Sequence, residues 1–240
     1  MKIVTWNCAR GFAEKSQHIF FGSPDIAVIQ ECSKKSTENS AIEGYVGHWV
    51  GEKDNLNIGL GVFHTAGWRL RQRAELRESD PKWIVPFEVN GPVDFTLIAV
   101  WACAVKGSAR ASYVGQIHRA LEERPEWFSQ GPIVMVGDFN SNAIFDKNRR
   151  ERNHSSMVEK LGELGMVSAY HSHDGTEHGS EETPTFHLYR RAERPFHLDY
   201  VFLPVGWRDG MKVEIGSHKV WASRSDHCPI TVEFSHPARC

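Results

Sequence analysis

Short apolar runs recur along the chain, each closed by Gly, Pro, Asn or Asp. Rich in Val, Ile, Phe and Trp, they predict strands over Lys2–Trp6, Ile26–Gln30, Gly59–His64, Ile84–Val89, Phe95–Trp101, Ile133–Val136, Thr185–Tyr189, Leu198–Leu203, Lys212–Ile215 and Ile230–Phe234. Helical spacing predicts fewer elements: Glu14–Phe20, Ala111–Arg124 and Ser155–Gly162. In the second, Tyr113, Ile117, Ala120 and Leu121 recur at the helical period. Ser155 and Ser156 read as the N-cap of the third, and Gly165 as the stop beyond it. Strands mixed with helices imply an α/β or α+β fold. Two sheets packed face to face, with helices outside, would bury this much apolar strand. No repeat, low-complexity tract or linker-like shift divides residues 1–240, so one domain is expected.

Composition changes this picture little. Of 240 residues, 40% are hydrophobic and 24% charged, enough for a core that needs no disulfide or metal support. None of the five cysteines forms a CxxC pair, which predicts a reduced, cytoplasmic protein. The opening MKIVTWN enters a strand pattern without a leader-like apolar region, and no run of about 18 apolar residues exists; no membrane partner is expected. A net charge of -2 does not point to nonspecific polyanion binding, which usually needs a basic excess. The local basic run from Lys147 to Arg152 is a solvated loop on composition alone. Its closeness to Asp138 in sequence makes it of interest. Oligomeric state is open.

Candidate chemistry enters where the apolar runs end. Asn7 ends VTWN, Glu31 ends IAVIQE, and Asp138 and Asn140 follow IVMVG. Asp199 sits in FHLDYVF, and Asp226 with His227 precedes the last strand. Any one of these is ordinarily a turn residue. Together, acidic, amide and imidazole groups at several strand ends suggest a metal-assisted active site. In extended chain, Asp138 and Asn140 would share a side, as would His197 and Asp199. Asp226 and His227 would point apart.

These pieces resemble the endonuclease/exonuclease/phosphatase superfamily, which includes DNase I and the exonuclease III-like enzymes. The matching motifs are TWN (5–7), QE (30–31), GDFN (137–140), LDYVF (198–202) and SDHCPI (225–230), in the family's order over nearly the whole chain. The resemblance implies a four-layer α/β/β/α sandwich with two mixed sheets. It implies phosphodiester hydrolysis with Mg²⁺, for which Mn²⁺ could substitute. Glu31 would be the principal metal ligand, supported by Asn7 and Asp226 directly or through water; a hard cation of this kind takes oxygen ligands. His227 would stand near the scissile phosphate with Asp199 behind it, fixing the imidazole tautomer. Asp138 would orient or deprotonate the attacking water, the choice of base between His227 and Asp138 staying open. Asn140 would bond the water or phosphate, and Tyr113 would donate to phosphate oxygens; as a plain reading, Tyr113 is a core aromatic opening a helix.

The resemblance favours a nuclease acting on DNA or RNA, with Arg149 and Arg150 on its phosphates and His197 lining the cleft. A phosphoesterase for a small molecule or lipid headgroup is the alternative. A catalytically inactive binding module is disfavoured, since every expected polar residue is present. After Trp101 the chain lacks the Pro-Asn element of exonuclease III-like relatives, which weakens an abasic-site assignment. Phe186, Phe196 and Leu198 fall where such relatives hold a flipped sugar, but core packing accounts for them. The five histidines at 171, 173, 178, 187 and 197 match no common zinc spacing, and a solvated, mobile loop is expected there, His197 excepted because it would share a side with Asp199.

Overall fold

A computed structural model describes residues 1–38, 42–73, 76–105, 108, 113–146 and 151–235. In chain order the strands are β1 (Lys2–Asn7), β2 (Ile26–Gln30), β3 (Tyr45–Gly51), β4 (Gly59–Thr65), β5 (Arg69–Gln72), β6 (Ile84–Asn90), β7 (Phe95–Trp101), β8 (Ile133–Asp138), β9 (Met166–Ser168), β10 (Phe186–His187), β11 (Pro195–Phe196), β12 (Asp199–Pro204), β13 (Lys212–Ile215) and β14 (Ile230–Glu233). The helices are α1 (Phe12–Lys15), α2 (Gln17–Phe20), α3 (Val114–Glu123), α4 (His154–Glu163), α5 (Ala169–Asp174) and α6 (His218–Trp221). One six-stranded sheet has the order β13-β14-β1-β2-β4-β3 and the other β5-β6-β7-β8-β12-β9. Both are mixed: β1 runs parallel to β2 and antiparallel to β14, while β8 runs parallel to β7 and antiparallel to β12.

The strand period of two sorts side chains into layers. Ile3, Val28, Val62, Leu97, Val134, Val136, Val201 and Leu203 meet between the sheets. Val4, Trp6, Ala27, Ile29 and Phe63 face outward and are covered by Phe12 and Ile19 of α1 and α2. On the other side, Ile98, Met135 and Phe202 lie under Ile117 and Ala120 of α3 and Met157 and Leu161 of α4. The result is a four-layer α/β/β/α sandwich, each sheet burying both faces.

Several boundaries differ from the sequence reading. The expected strand Thr185–Tyr189 shrinks to the two residues of β10, because Tyr189 and Arg190 take φ of 59° and 58° and turn the chain. The α4 cap is Asn153: its side chain accepts the Ser156 N–H at 2.9 Å, and Ser156 Oγ accepts the Asn153 N–H at 3.1 Å. Ser155 and Ser156 therefore lie in the first turn. The histidine-rich segment is packed: His187 and His197 are buried, and His171 has its side chain only 8% exposed. His173 alone of the five is exposed. Aromatic rings and hydrogen bonds hold the segment against β12, which a solvated loop would not need.

Candidate active site

The rows of side chains that fill the inter-sheet core end in polar groups. Ile3 and Thr5 lead along one side of β1 to Asn7, Val134 and Val136 along β8 to Asp138, and Leu203 and Val201 back along β12 to Asp199. The antiparallel register sets Asp199 directly opposite Asp138. Asn7, Asp138 and Asp199 therefore converge at one end of the sandwich, each about 97% or more buried. Gly137 makes the approach of β8 possible. Its φ is 148°, and a Cβ there would stand 1.9 Å from the Val100 carbonyl oxygen.

His227 joins the two acids. Its Nδ1 lies 2.8 Å from Asp199 Oδ2, and its Nε2 3.9 Å from Asp138 Oδ2. Thr185 Oγ1 donates to the same Asp199 oxygen at 2.7 Å, while Asp199 Oδ1 is buried with no hydrogen-bond partner among the described residues. Ser225 fixes the approach of the histidine: its hydroxyl donates to the Asn7 carbonyl at 2.7 Å and accepts the His227 N–H at 3.0 Å. Trp6 Nε1 donates to the His227 carbonyl at 2.9 Å, and the Phe186 ring packs 4.6 Å from the imidazole.

Amides surround Asp138. Its Oδ1 accepts the Asn140 N–H at 2.9 Å, and its Oδ2 accepts Asn140 Nδ2 at 2.9 Å and Asn7 Nδ2 at 3.1 Å. Asn140 reaches back through a turn, with φ 46°, rather than along an extended strand. Asn7 Nδ2 also lies 3.4 Å from Glu31 Oε1, so one amide links both acids. The Asn7 oxygen accepts the Ala9 N–H at 3.1 Å and faces away from them. Glu31 itself sits at φ 57°, a left-handed conformation that costs a non-glycine residue on the order of 1–3 kcal/mol. Gln30 anchors the strand before it, donating to Thr5 Oγ1 at 3.0 Å and to the Val100 carbonyl at 3.1 Å across the two sheets.

The charges follow from burial and proximity. Burial raises the Asp138 carboxyl to about 7; His227 opposes this, and Asp199 adds to it. Burial by itself would lower His227, but the Asp199 and Asp138 charges outweigh it and hold the imidazole at about 9. One ligand-type atom from each of Asp138, Asp199 and His227 lies within 4.8 Å of the others. A protonated imidazole has no lone pair for a metal, so this trio suits proton handling better than ligation. Glu31 and Asp226 offer the oxygen donors a hard cation takes. Glu31 accepts one hydrogen bond, from Asn7; Asp226 Oδ1 lies 3.4 Å from Ser225 Oγ, whose proton goes to the Asn7 carbonyl; and each acid keeps a carboxylate oxygen that no described group bonds.

Other expected residues lie elsewhere. His197 is 3% exposed and packs on Tyr170 and Tyr200 rather than beside Asp199. The reason is local: the N–H groups of Leu198 and Asp199 both donate to Thr185 Oγ1, so the chain is not extended there and the alternation of sides fails. Tyr113 is 47% exposed at the start of α3, with φ 53°, so it is not a core aromatic. It makes no side-chain hydrogen bond to the cluster among the described residues. Arg149 and Arg150 lie outside the described residues. Arg152, at the end of the basic run, pairs with Glu122. Thr185 and Ser225 were missed by sequence reading. Hydroxyl residues are too common to single out, although Ser225 stands two residues before His227.

The sequence matches no protein-family model and no curated protein. Solved structures do share its fold. The 3'-5' exonuclease NExo of Neisseria meningitidis is 21% identical with a TM-score of 0.69, and the match covers 98% of this chain and 100% of that one. The AP endonuclease LMAP of Leishmania major is 15% identical with a TM-score of 0.70, covering 98% and 88%. A truncated TDP2 of Caenorhabditis elegans is 12% identical with a TM-score of 0.68, covering 98% and 97%. The chain shares with these structures a DNase I-like four-layer fold.

Proposed function

We propose that this chain, working as one domain over residues 1–240, is a divalent-metal-dependent phosphodiesterase whose substrate is nucleic acid. The observation that carries the reading is the cluster at the end of the inter-sheet core, where Asp199, His227 and Asp138 follow one another at hydrogen-bond and ion-pair distances. Glu31, with Asp226, would hold the cation, Mg²⁺ being the one that an all-oxygen donor set favours. A cation there supplies Lewis acidity toward the phosphoryl oxygens.

The remaining roles belong to the chain. Asp138 is the proton acceptor: its carboxyl, raised to about 7, is matched to neutral pH, and Asn7 and Asn140 fix its orientation. A water oxygen attacks phosphorus and gives one proton to Asp138, while the bond to the leaving oxygen breaks and that oxygen keeps the bonding pair and takes a proton from solvent. His227, kept charged by Asp199, offers its Nε2 proton to the negative charge that develops on the phosphoryl group. Asp199 is a positioning residue that acts through His227. Tyr113, Arg149 and Arg150 would serve the phosphate backbone. A nucleic-acid substrate is supported by the neighbours' own substrates, among them the Neisseria 3' phosphatase NExo, solved with a product DNA hairpin.

The test is incubation with supercoiled plasmid and with a structured RNA, in Mg²⁺ or in EDTA, beside His227→Ala and Glu31→Gln. Cleavage by the wild type that EDTA and both substitutions abolish is expected. Hydrolysis unchanged in either folded variant would refute the site. A wild type inert on both polymers but active on a small phosphoester would refute the substrate class alone.

A further inference from the structure

Asp199 points between the sheets; Tyr200, the next residue, points to the opposite side of β12. There the imidazoles of His154, His171, His178 and His197 gather with the carboxylate of Glu181. His171 Nε2 lies 3.0 Å from Glu181 Oε1. The His171 and His178 rings are stacked with centroids 3.5 Å apart. One ligand atom from each of His171, His178 and Glu181 lies within 4.8 Å of the other two. The side chains of His171 and Glu181 are only 8% and 4% exposed.

Packing alone does not account for this group. Apolar side chains would fill the same space without the cost of removing imidazoles and a carboxylate from water. Neighbouring groups orient the three residues: His171 Nδ1 lies 2.7 Å from Ser168 Oγ, His178 Nδ1 lies 3.0 Å from His154 Nε2, and Glu181 accepts Asn142 Nδ2 at 3.0 Å on Oε2 and the Gly179 N–H at 3.1 Å on Oε1. Anchoring the second ring nitrogen is how protein metal sites fix the tautomer and direction of a ligating histidine. His197 adds an independent sign. Its Nδ1 is engaged by the Thr183 carbonyl at 2.8 Å, and its Nε2 is buried without a hydrogen-bond partner among the described residues. The ring stands 6.0 Å from that of His171.

We propose that His171 Nε2, His178 Nε2 and Glu181 Oε1 bind one divalent transition-metal ion of the Zn²⁺ class. Two imidazoles and one carboxylate suit that class, whereas Mg²⁺ takes oxygen donors and waters. Bonds of about 2.0–2.2 Å set tetrahedral ligand atoms about 3.3 Å apart, so on binding the ligand atoms close by up to about 1.5 Å, the stacked His171 and His178 rings turn out of parallel, and water takes the fourth position. Asn142 bonds Glu181, the His197 carbonyl at 3.0 Å and the Tyr200 hydroxyl at 3.2 Å, so the metal would pin α5 and the loop after it against the strand that carries Asp199.

The experiment is Co²⁺ titration of the 240-residue, EDTA-dialysed protein, read by ligand-field absorption and by metal analysis after gel filtration. It is run on the wild type, Glu31→Gln, His173→Ala, His178→Ala and Glu181→Gln. One equivalent of Co²⁺ with tetrahedral bands, displaced by Zn²⁺, is expected in the wild type. Glu31→Gln and His173→Ala should retain it, and His178→Ala and Glu181→Gln should lose it. Should the last two variants fail to fold, Glu31→Gln decides, because its site on the inter-sheet side is already disabled. No bound equivalent in the wild type, loss of the bands in Glu31→Gln, or their persistence in folded His178→Ala would overturn the proposal.

Discussion

The two sides of β12 carry the same residue types in opposite proportion. Between the sheets, two carboxylates, Asp138 and Asp199, flank one imidazole, His227. On the reverse side, several imidazoles share one carboxylate, Glu181. Burial works against the protonated form of His154, His178 and His197 on the reverse side and of His227 between the sheets. On the reverse side it prevails, driving His154 down to about 4 and His178 down to about 3. Between the sheets two negative charges overrule it and hold His227 at about 9. Burial alone therefore does not set the state of a histidine; the local ratio of carboxylates to imidazoles does. One side holds a charged imidazole, and the other keeps the rings of His154 and His178 neutral.

The substitution that breaks this contrast most directly is Asp199→Asn. It removes one of the charges that hold His227 protonated and the acceptor that fixes its tautomer. Turnover should fall on the order of 10³–10⁴-fold, as for an orienting acid behind a catalytic histidine. The His227 titration, followed by NMR, should move down toward neutrality. Far-UV circular dichroism should be unchanged, because an amide can still accept from Thr185. Turnover within a few-fold of wild type would mean that His227 does not depend on Asp199.

Stability against pH sharpens the comparison, because the two sides predict opposite slopes. His154 and His178 have folded values below the ordinary 6.5, so the unfolded chain binds protons there that the folded chain refuses. Their contribution is full above 6.5 and is lost as pH falls. Asp138, raised to about 7, binds its proton in the folded state and offsets one of the two. The net loss from these three is about 1.4 kcal/mol per pH unit below 6.5, and buried His118 and His197 shift in the same direction as the two histidines. His227 is raised, so its contribution is present below 6.5 and is lost as pH rises toward about 9. Urea unfolding should place the stability maximum near neutrality, falling on both sides. His154→Gln should flatten the acid limb, and Asp199→Asn the alkaline one. An acid limb unchanged in His154→Gln would remove that histidine from the account.

The inter-sheet side was legible in sequence and the reverse side was not, for a physical reason. Asn7, Asp138 and Asp199 each terminate a period-two apolar row, so the strand that buries the row delivers the polar group to the rim. The pairing of Asp199 with Asp138 follows from the β8–β12 register and needs no unusual spacing. The histidine cluster has no such row. His154 opens α4, His171 lies in α5, and His178 and Glu181 lie in the loop beyond, so tertiary packing alone brings them together. Misread elements follow the same rule. β3, Tyr45–Gly51, is partly exposed on both faces at a sheet edge, holds two glycines, and shows no alternation to read. β12 starts one residue later than its apolar run because Thr185 Oγ1 collects two successive N–H groups, a tertiary contact invisible in the run itself.

The smallest expected effect tests whether the two sides are independent. Asn153 caps α4 and forms a reciprocal pair with Ser156, and its carbonyl lies 3.0 Å from His118 Nε2. The cap fixes the first turn of the helix, whose first residue, His154, anchors His178. Asn153→Ala exposes helix donors without touching the inter-sheet cluster, and loss of such a cap costs about 1 kcal/mol. In a chain of this size that lowers the Tm by about 2–4 °C. Because His154 reaches Ser141 through its Nδ1 at 3.2 Å, a loosened first turn also weakens a tie to the loop after Asn140. If the two sides are separable, Tm falls in a thermal melt while turnover stays within about twofold, since removing this single exposed-end interaction leaves the β8–β12 register intact. If turnover drops with stability, the histidine side is a positioning layer for Asp138 and Asn140, and β12 couples the two faces instead of insulating them.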